Sequence, residues 1–277
     1  MTLNDFYRKS ISLDDTPLMP ALFVGHGSPM NAIEDNEFAR KWVELGQSFP
    51  LPQAILCISA HWETRGTMIT GVEHPRTIHD FYGFPEELYQ QQYPANGCPA
   101  LAERIKDDIR TVDIGLDYEW GLDHGTWSLL KYFYPDANIP VVQLSIDYTQ
   151  NMRYHYDLAK ELMYLRRKGV LVIGSGNMVH NLRMLQVKNE DFNAEHSYDW
   201  ALDINTLMKN KINERDINSL IHYENLTKDS RLAIPTPEHY IPLLYIMGIQ
   251  SDNDTVSFFN DKVIAGSLSM TSFVFQS

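Results

Sequence analysis

The sequence predicts a single α/β domain, spanning residues 1–277, with a central mixed β-sheet flanked by helices. Two observations predict it: short, wholly apolar runs, and longer amphipathic stretches between them. A third, the absence of any repeat or Gly/Ser/Pro-rich linker, argues for one domain. Residues 19–24 (MPALFV), 54–59 (AILCIS), 140–146 (PVVQLSI) and 170–173 (VLVI) lack polar alternation, as strands covered on both faces do. Residues 67–72 read as a half-buried strand. Residues 37–47, 99–110, 125–134 and 151–168 have helical spacing. Residues 255–275 hold two β-prone runs, VSFF and SMTSFVF, expected to add antiparallel strands and make the sheet mixed. The polar, Asn-rich residues 181–229 are expected to form helices outside the sheet.

Composition excludes several classes. Hydrophobic residues at 44% and charged residues at 21% suit a globular chain rather than a disordered one. The 23 Lys+Arg against 36 Asp+Glu give a net charge of −13, so no nucleic-acid partner is expected. The one basic run, Arg166-Arg167-Lys168, falls near a predicted helix end, where cations suit the dipole. Two cysteines, Cys57 and Cys98, are too few for a disulfide framework or a four-cysteine zinc site. The first twenty residues lack a secretory layout, and no apolar run reaches the ~20 residues that span a bilayer. No membrane association is expected, and the location expected is the cytoplasm.

The histidines are the informative residues. Three apolar runs lead into His26 (VGHGS), His61 (ISAHW) and His180 (GSGNMVH). Ligands of open α/β sheets bind beyond the carboxyl ends of the strands, where parallel strands would gather these three. One histidine after a strand is usually a hydrogen-bonded loop residue; three on one sheet edge point to a metal or catalytic site. In IPTPEHY, Thr236 is expected to N-cap a helix begun by Pro237 and bent at Pro242. Glu238 and His239 then diverge by about 100°, and only one can face inward. His239 shares the more continuous apolar face, with Leu243, Ile246 and Met247, so it is the one expected inside. Asp123 precedes His124 and can orient an imidazole or cap a helix, and residues 77–85 (TIHDFYGFP) suit an aromatic wall. His74, His155, His196 and His222 are expected to be solvated.

Other chemistries find no support. A dinucleotide fingerprint and a phosphate loop are missing, and neither Ser28 nor Ser175 completes a Gly-x-Ser-x-Gly elbow. Cys57 lies inside a predicted buried strand, where a thiol is inert.

Seven segments in order, MPALFVGHGSPMNAI, ILCISAHWET, HPRTIHDFYGFP, GLDHGTWSLL, PVVQLSID, VIGSGNMVHNLR and IPTPEHYIPLLY, resemble the extradiol ring-opening dioxygenases of the LigB-like superfamily, especially its DOPA-cleaving members. The likeness runs from Met19 to Tyr245. It implies an α/β fold with the metal at the sheet's strand ends. His26 and His61 match the family's first two metal ligands, and His239 matches the third. Related enzymes use a carboxylate at the third place, which keeps Glu238 as the alternative. His180 matches the catalytic acid/base, expected to titrate near neutrality and to approach the metal as a fourth ligand when zinc is bound. His124 matches a catalytic residue near the substrate hydroxyls. The implied reaction is extradiol cleavage, with O2 and Fe(II), of a catechol such as L-DOPA to 4,5-seco-DOPA. Zn(II) would fill the same site without redox activity. The alternatives are a zinc-dependent hydrolase and a non-catalytic metal-binding scaffold.

Overall fold

The computed structural model describes residues 15–188 and 190–277. Its main sheet has eight strands in the order β4-β3-β5-β2-β6-β1-β10-β7. The four central strands, β5 (Val141–Asp147), β2 (Ala54–Thr64), β6 (Val170–Gly176) and β1 (Ala21–Gly25), are mutually parallel. β10 (Ser272–Gln276) runs antiparallel to β1, and β7 (Thr255–Phe259) antiparallel to β10. At the other edge β3 (Thr67–Thr70) meets β5 antiparallel and β4 (Ile114–Asp117) parallel. The sheet is therefore mixed, with its antiparallel tail where the sequence places it. A separate short hairpin joins β8 (Val263–Ile264) to β9 (Leu268–Ser269).

The central strands are apolar throughout because each face meets its own core. Phe23, Leu56, Ile58 and Val172 point into one, with Leu22, Val24, Ile55 and Ile173 in the other. The second core is covered by α1 (Glu37–Ser48) and by α4 (His124–Phe133), with the short α2 (Glu86–Tyr89) beside them. The first is covered by α3 (Pro99–Asp108), α5 (Met152–Leu162), α6 (Asp199–Asn213), α7 (Ile217–Ile221), α8 (Ser230–Ala233) and α9 (Ile241–Gly248). Side chains fix several starts: Asn36, Asp123 and Asn151 each accept a hydrogen bond from a first-turn N–H of α1, α4 and α5. None of the described helices is long and apolar enough to cross a membrane.

Three expectations need correction. The run expected to end at Ser59 continues to Thr64, and its pairing with β5 shifts register between Ile58 and Glu63. His61 therefore sits in an irregular strand segment, where a bulge re-aims side chains. The helix expected over residues 151–168 is α-helical only to Leu162 and then tightens to a 3-10 turn ended by Gly169. α9 begins at Ile241 rather than Pro237, because Pro242 has no N–H to donate and fits only the first turn; it does not bend the helix.

Arg166 stands in the last turn of that 3-10 segment, at a helix end as expected, and is fully buried. Its Nε donates to the Met19 carbonyl at 2.7 Å, NH1 to the Ile249 carbonyl at 2.8 Å, and both terminal nitrogens to the Asp254 carboxylate at 2.5 and 3.0 Å. It ties the entry of β1 to the segment leading into β7. Arg166→Leu leaves Asp254 buried without a counter-charge and is expected to cost about 3–5 kcal/mol in urea unfolding. Adding Asp254→Leu is expected to recover part of that loss.

Candidate metal centre

Five imidazoles meet at the carboxyl end of the parallel strands. His26 directly follows β1, His61 lies in β2, and His124 opens α4. His180 lies four residues beyond β6, and His239 comes from the turn before α9. The ring of His26 lies 4.9 Å from His61, 5.5 Å from His124 and 5.3 Å from His239, centre to centre. His61 lies 3.9 Å from His124 and 5.0 Å from His239. His180 stacks on His239 at 3.6 Å.

Glycine lets the last arm close in. A Cβ on Gly176 would stand 2.1 Å from the His239 carbonyl oxygen, so only glycine admits this backbone against β6. Asn177 N–H donates to that oxygen at 2.8 Å, and His26 N–H donates to the Gly176 carbonyl at 3.2 Å. Gly27 turns the chain after His26 with φ +65°, in the left-handed region.

The partners of the rings settle which nitrogen carries hydrogen. Ser175 Oγ donates to the Gly125 carbonyl at 2.6 Å, so its oxygen accepts from His26 Nδ1 at 3.0 Å. Asp80 Oδ2 accepts from His124 Nδ1 at 2.9 Å and lies 3.4 Å from His61 Nδ1. Glu238 Oε1 accepts from His239 Nδ1 at 3.1 Å. A carboxylate can only accept, so His124 and His239 carry hydrogen on Nδ1, as His26 does toward Ser175, and their Nε2 atoms are the ones turned to the centre. The Nε2 atoms of His26 and His61 face each other at 3.0 Å. Imidazoles gathered this closely, with acceptors behind their Nδ1 atoms, are the usual ligands of a metal ion. The residues fit a metal.

Electrostatics agree. Burial, then the neighbouring histidines, holds His26 and His61 well below the ordinary imidazole range. Burial lowers His239 as well, against the pull of Glu238. His180 is held down to about 3 by burial and by His239, so it does not titrate near neutrality as the sequence reading expects. Burial works against the Asp80 carboxylate, but its bonds to His124 outweigh that and bring it below the usual range. Two donor groups have ligand atoms within 4.8 Å of one another: His26, His61 and His124, and His180, Glu238 and His239. His239 is thus grouped with His180 and Glu238, while its ring stays beside those of His26 and His61.

The centre opens into a cavity of about 410 Å³ walled by Met30, Phe81, Phe84, Leu182, Leu185 and Phe192. That volume suits a small organic molecule. The segment 77–85 supplies the aromatic wall read from its sequence, held to α4 by the Trp127 Nε1–H bond to the Ile78 carbonyl at 2.8 Å.

Some residues fall elsewhere. Asp123 orients no imidazole: it caps α4 and accepts from Ser59 Oγ and Gln143 Nε2, both at 2.7 Å. Thr236 caps no helix, its Oγ1 donating to Glu238 Oε1 at 2.9 Å. His155 is fully buried against the Tyr245 hydroxyl rather than solvated, and burial lowers it to about 4. Sequence reasoning assigned no part to Asp80 or Ser175. The signal for Asp80 was present, a carboxylate beside His79 in the aromatic segment, but its partners are distant in sequence.

Residues 20–276 match the family described as the catalytic LigB subunit of aromatic ring-opening dioxygenase. The chain is 44% identical to the 4,5-DOPA dioxygenase extradiol of Escherichia coli (strain K12) over 258 residues, covering 92% of this chain and 93% of that protein. It is 35% identical to the protein of the same name from Beta vulgaris over 261 residues, covering 92% and 96%. The crystal structure of an uncharacterized Escherichia coli K12 protein superposes with a TM-score of 0.80 at 40% identity, covering 93% of this chain and 100% of that one.

Asp80→Ala removes the acceptor shared by His61 and His124. It is expected to weaken Zn(II) or Fe(II) binding about 10–100-fold in a chelator competition. Unchanged affinity would deny Asp80 an orienting part.

Proposed function

The chain belongs to the aromatic ring-opening dioxygenase family, and from that premise we propose that it is an extradiol enzyme of the 4,5-DOPA type. It opens a catechol beside, not between, the two hydroxyls and adds both atoms of O2. L-DOPA would give 4,5-seco-DOPA. The observation that carries this reading is the convergence of five imidazoles, three of them backed through Nδ1 by an acceptor, at the floor of an apolar cavity. The names of the relatives favour ring cleavage over a zinc hydrolase or an inert metal scaffold.

His26, His61 and His239 would hold Fe(II), with Glu238 as the carboxylate that orients His239 rather than the ligand itself. Fe(II) would supply the redox chemistry that joins O2 to the ring, which redox-inert Zn(II) in the same place would not. His180, neutral and stacked on His239, takes a hydroxyl proton from the catechol and returns one once the ring is open. With zinc bound, His180 would serve as a fourth ligand. Asp80 fixes the Nδ1–H of His124 and leaves its Nε2 to accept from a substrate hydroxyl. Phe81 and Phe84 shield the ring from water. The whole chain acts as one catalytic domain. A cytoplasmic location is part of the proposal: both cysteines are free and buried, as suits a reducing compartment.

Protein loaded anaerobically with Fe(II) is expected to consume one O2 per L-DOPA and form a yellow semialdehyde, and Zn(II)-loaded protein to consume none. A panel of catechols giving no uptake would overturn the reading. His180→Ala is expected to keep its metal and lose about 10²–10⁴-fold in turnover. By metal analysis, His239→Ala is expected to lose the ion, whereas Glu238→Ala keeps it with affinity lower by about 10–100-fold.

A further inference from the structure

The cavity carries a charge preference that the ring chemistry does not require. Histidines apart, Glu34 is the charged side chain among its lining residues, and no Lys or Arg is among them. Glu34 follows the 3-10 turn Pro29–Ala32, which begins three residues after His26. Its N–H donates to the Met30 carbonyl at 3.0 Å, its carbonyl accepts from the Tyr132 hydroxyl at 3.4 Å, and its Oε2 accepts from Asn193 Nδ2 at 3.0 Å. The carboxylate is thus held at the wall by a neutral donor and keeps its charge uncompensated by any described ion pair.

Two cations on neighbouring elements, Lys131 and Arg40, are engaged elsewhere. Lys131 donates to the Ala32 carbonyl at 3.0 Å and to Gln91, and Arg40 pairs with Asp35 at 3.0 Å. The surface hollow next to Glu34 adds Glu37 and Asp191, so the field there is also negative.

We infer that Glu34 is a specificity-determining residue that receives the ammonium group of the substrate's side chain, so the natural substrate is a catechol bearing an aliphatic amine. An anionic tail would meet Glu34 in an apolar cavity without a lining Lys or Arg, which costs affinity. A zwitterionic tail such as that of L-DOPA falls between the two. This inference rests on the ring-cleaving reading for its catechol and on Glu34 for its amine.

The test uses 2-(3,4-dihydroxyphenyl)ethylamine, L-DOPA, 3-(3,4-dihydroxyphenyl)propanoate and neutral 4-methylcatechol. With Fe(II)-loaded protein, kcat/KM is expected to favour the amine over the acid by about tenfold or more, the effect of one charge-assisted hydrogen bond. Glu34→Gln, which can still accept from Asn193, is expected to bring that ratio close to one. Calorimetric binding to Zn(II)-loaded protein, with 4-methylcatechol as reference, is expected to show the same order without turnover. Equal preference for amine and acid, or a ratio that Glu34→Gln leaves intact, overturns the inference. If none of the four is cleaved but Zn(II)-loaded protein still prefers the amine, the ring-cleavage reading fails and the amine site stands.

Discussion

The parallel register of β1, β6 and β2 is the constraint on which the centre depends. Gly25 pairs with Gly176, and Ser59 pairs with Ser175, so β1 and β6 end at one level and β2 passes that level at Ser59. His26 then emerges where Ser175 can accept from its Nδ1, and Ser59 reaches the Asp123 carboxylate that caps α4. A slip of one residue would turn Ser175 to the other face and send His26 out of reach, because side chains alternate along a strand. The apolar surface on both faces opposes such a slip, since it would expose or invert two packed cores at once. Packing that contains no histidine thus fixes where histidines meet.

The second level of order is polar. Asp80 reaches the backbone N–H and Nδ1 of His124, and its second oxygen contact lies beside His61. One carboxylate therefore sets two rings from different elements. Burial makes a protonated imidazole costly at His26 and His61, and the neighbouring histidines add repulsion, so these two rings are held neutral. That state is what metal binding needs, because ligand nitrogens must be free of protons. The acceptors behind the rings and the burial around them act in the same direction.

Much of this was legible in the sequence, and what was not has definite causes. The apolar runs announced the central strands because burial on both faces removes alternation, and Asp123 marked a helix start. β4 escaped notice because IGLD is four residues long and lies at the edge beside β3. His26, His61 and His180 were found because each follows a strand's apolar run. His155 was misjudged because its helix looks polar in sequence while α9 buries it through Tyr245. Arg166 was read from its two basic neighbours, although its partners, Met19, Ile249 and Asp254, are far away along the chain. Asp80 belongs with Arg166: a residue whose meaning lies in long-range partners carries little local signal.

The same architecture separates chemistry from selectivity. His26, His61 and His124 stand on or beside regular elements, whose hydrogen-bonded backbone leaves little freedom for ligand nitrogens to wander. Much of the cavity wall comes from segments outside the strands and α-helices: residues 77–85 give Phe81 and Phe84, residues 182–185 give Leu182 and Leu185, and Phe192 follows. Loops accept substitution more readily than packed strands. A wall residue can therefore change what is admitted without moving the imidazoles, while a change in the parallel strands alters both. Glu34 occupies the boundary, a few residues past His26 yet anchored by Asn193, next to Phe192. Its position joins a charged group of the cavity wall to the segment that follows the strand end carrying His26.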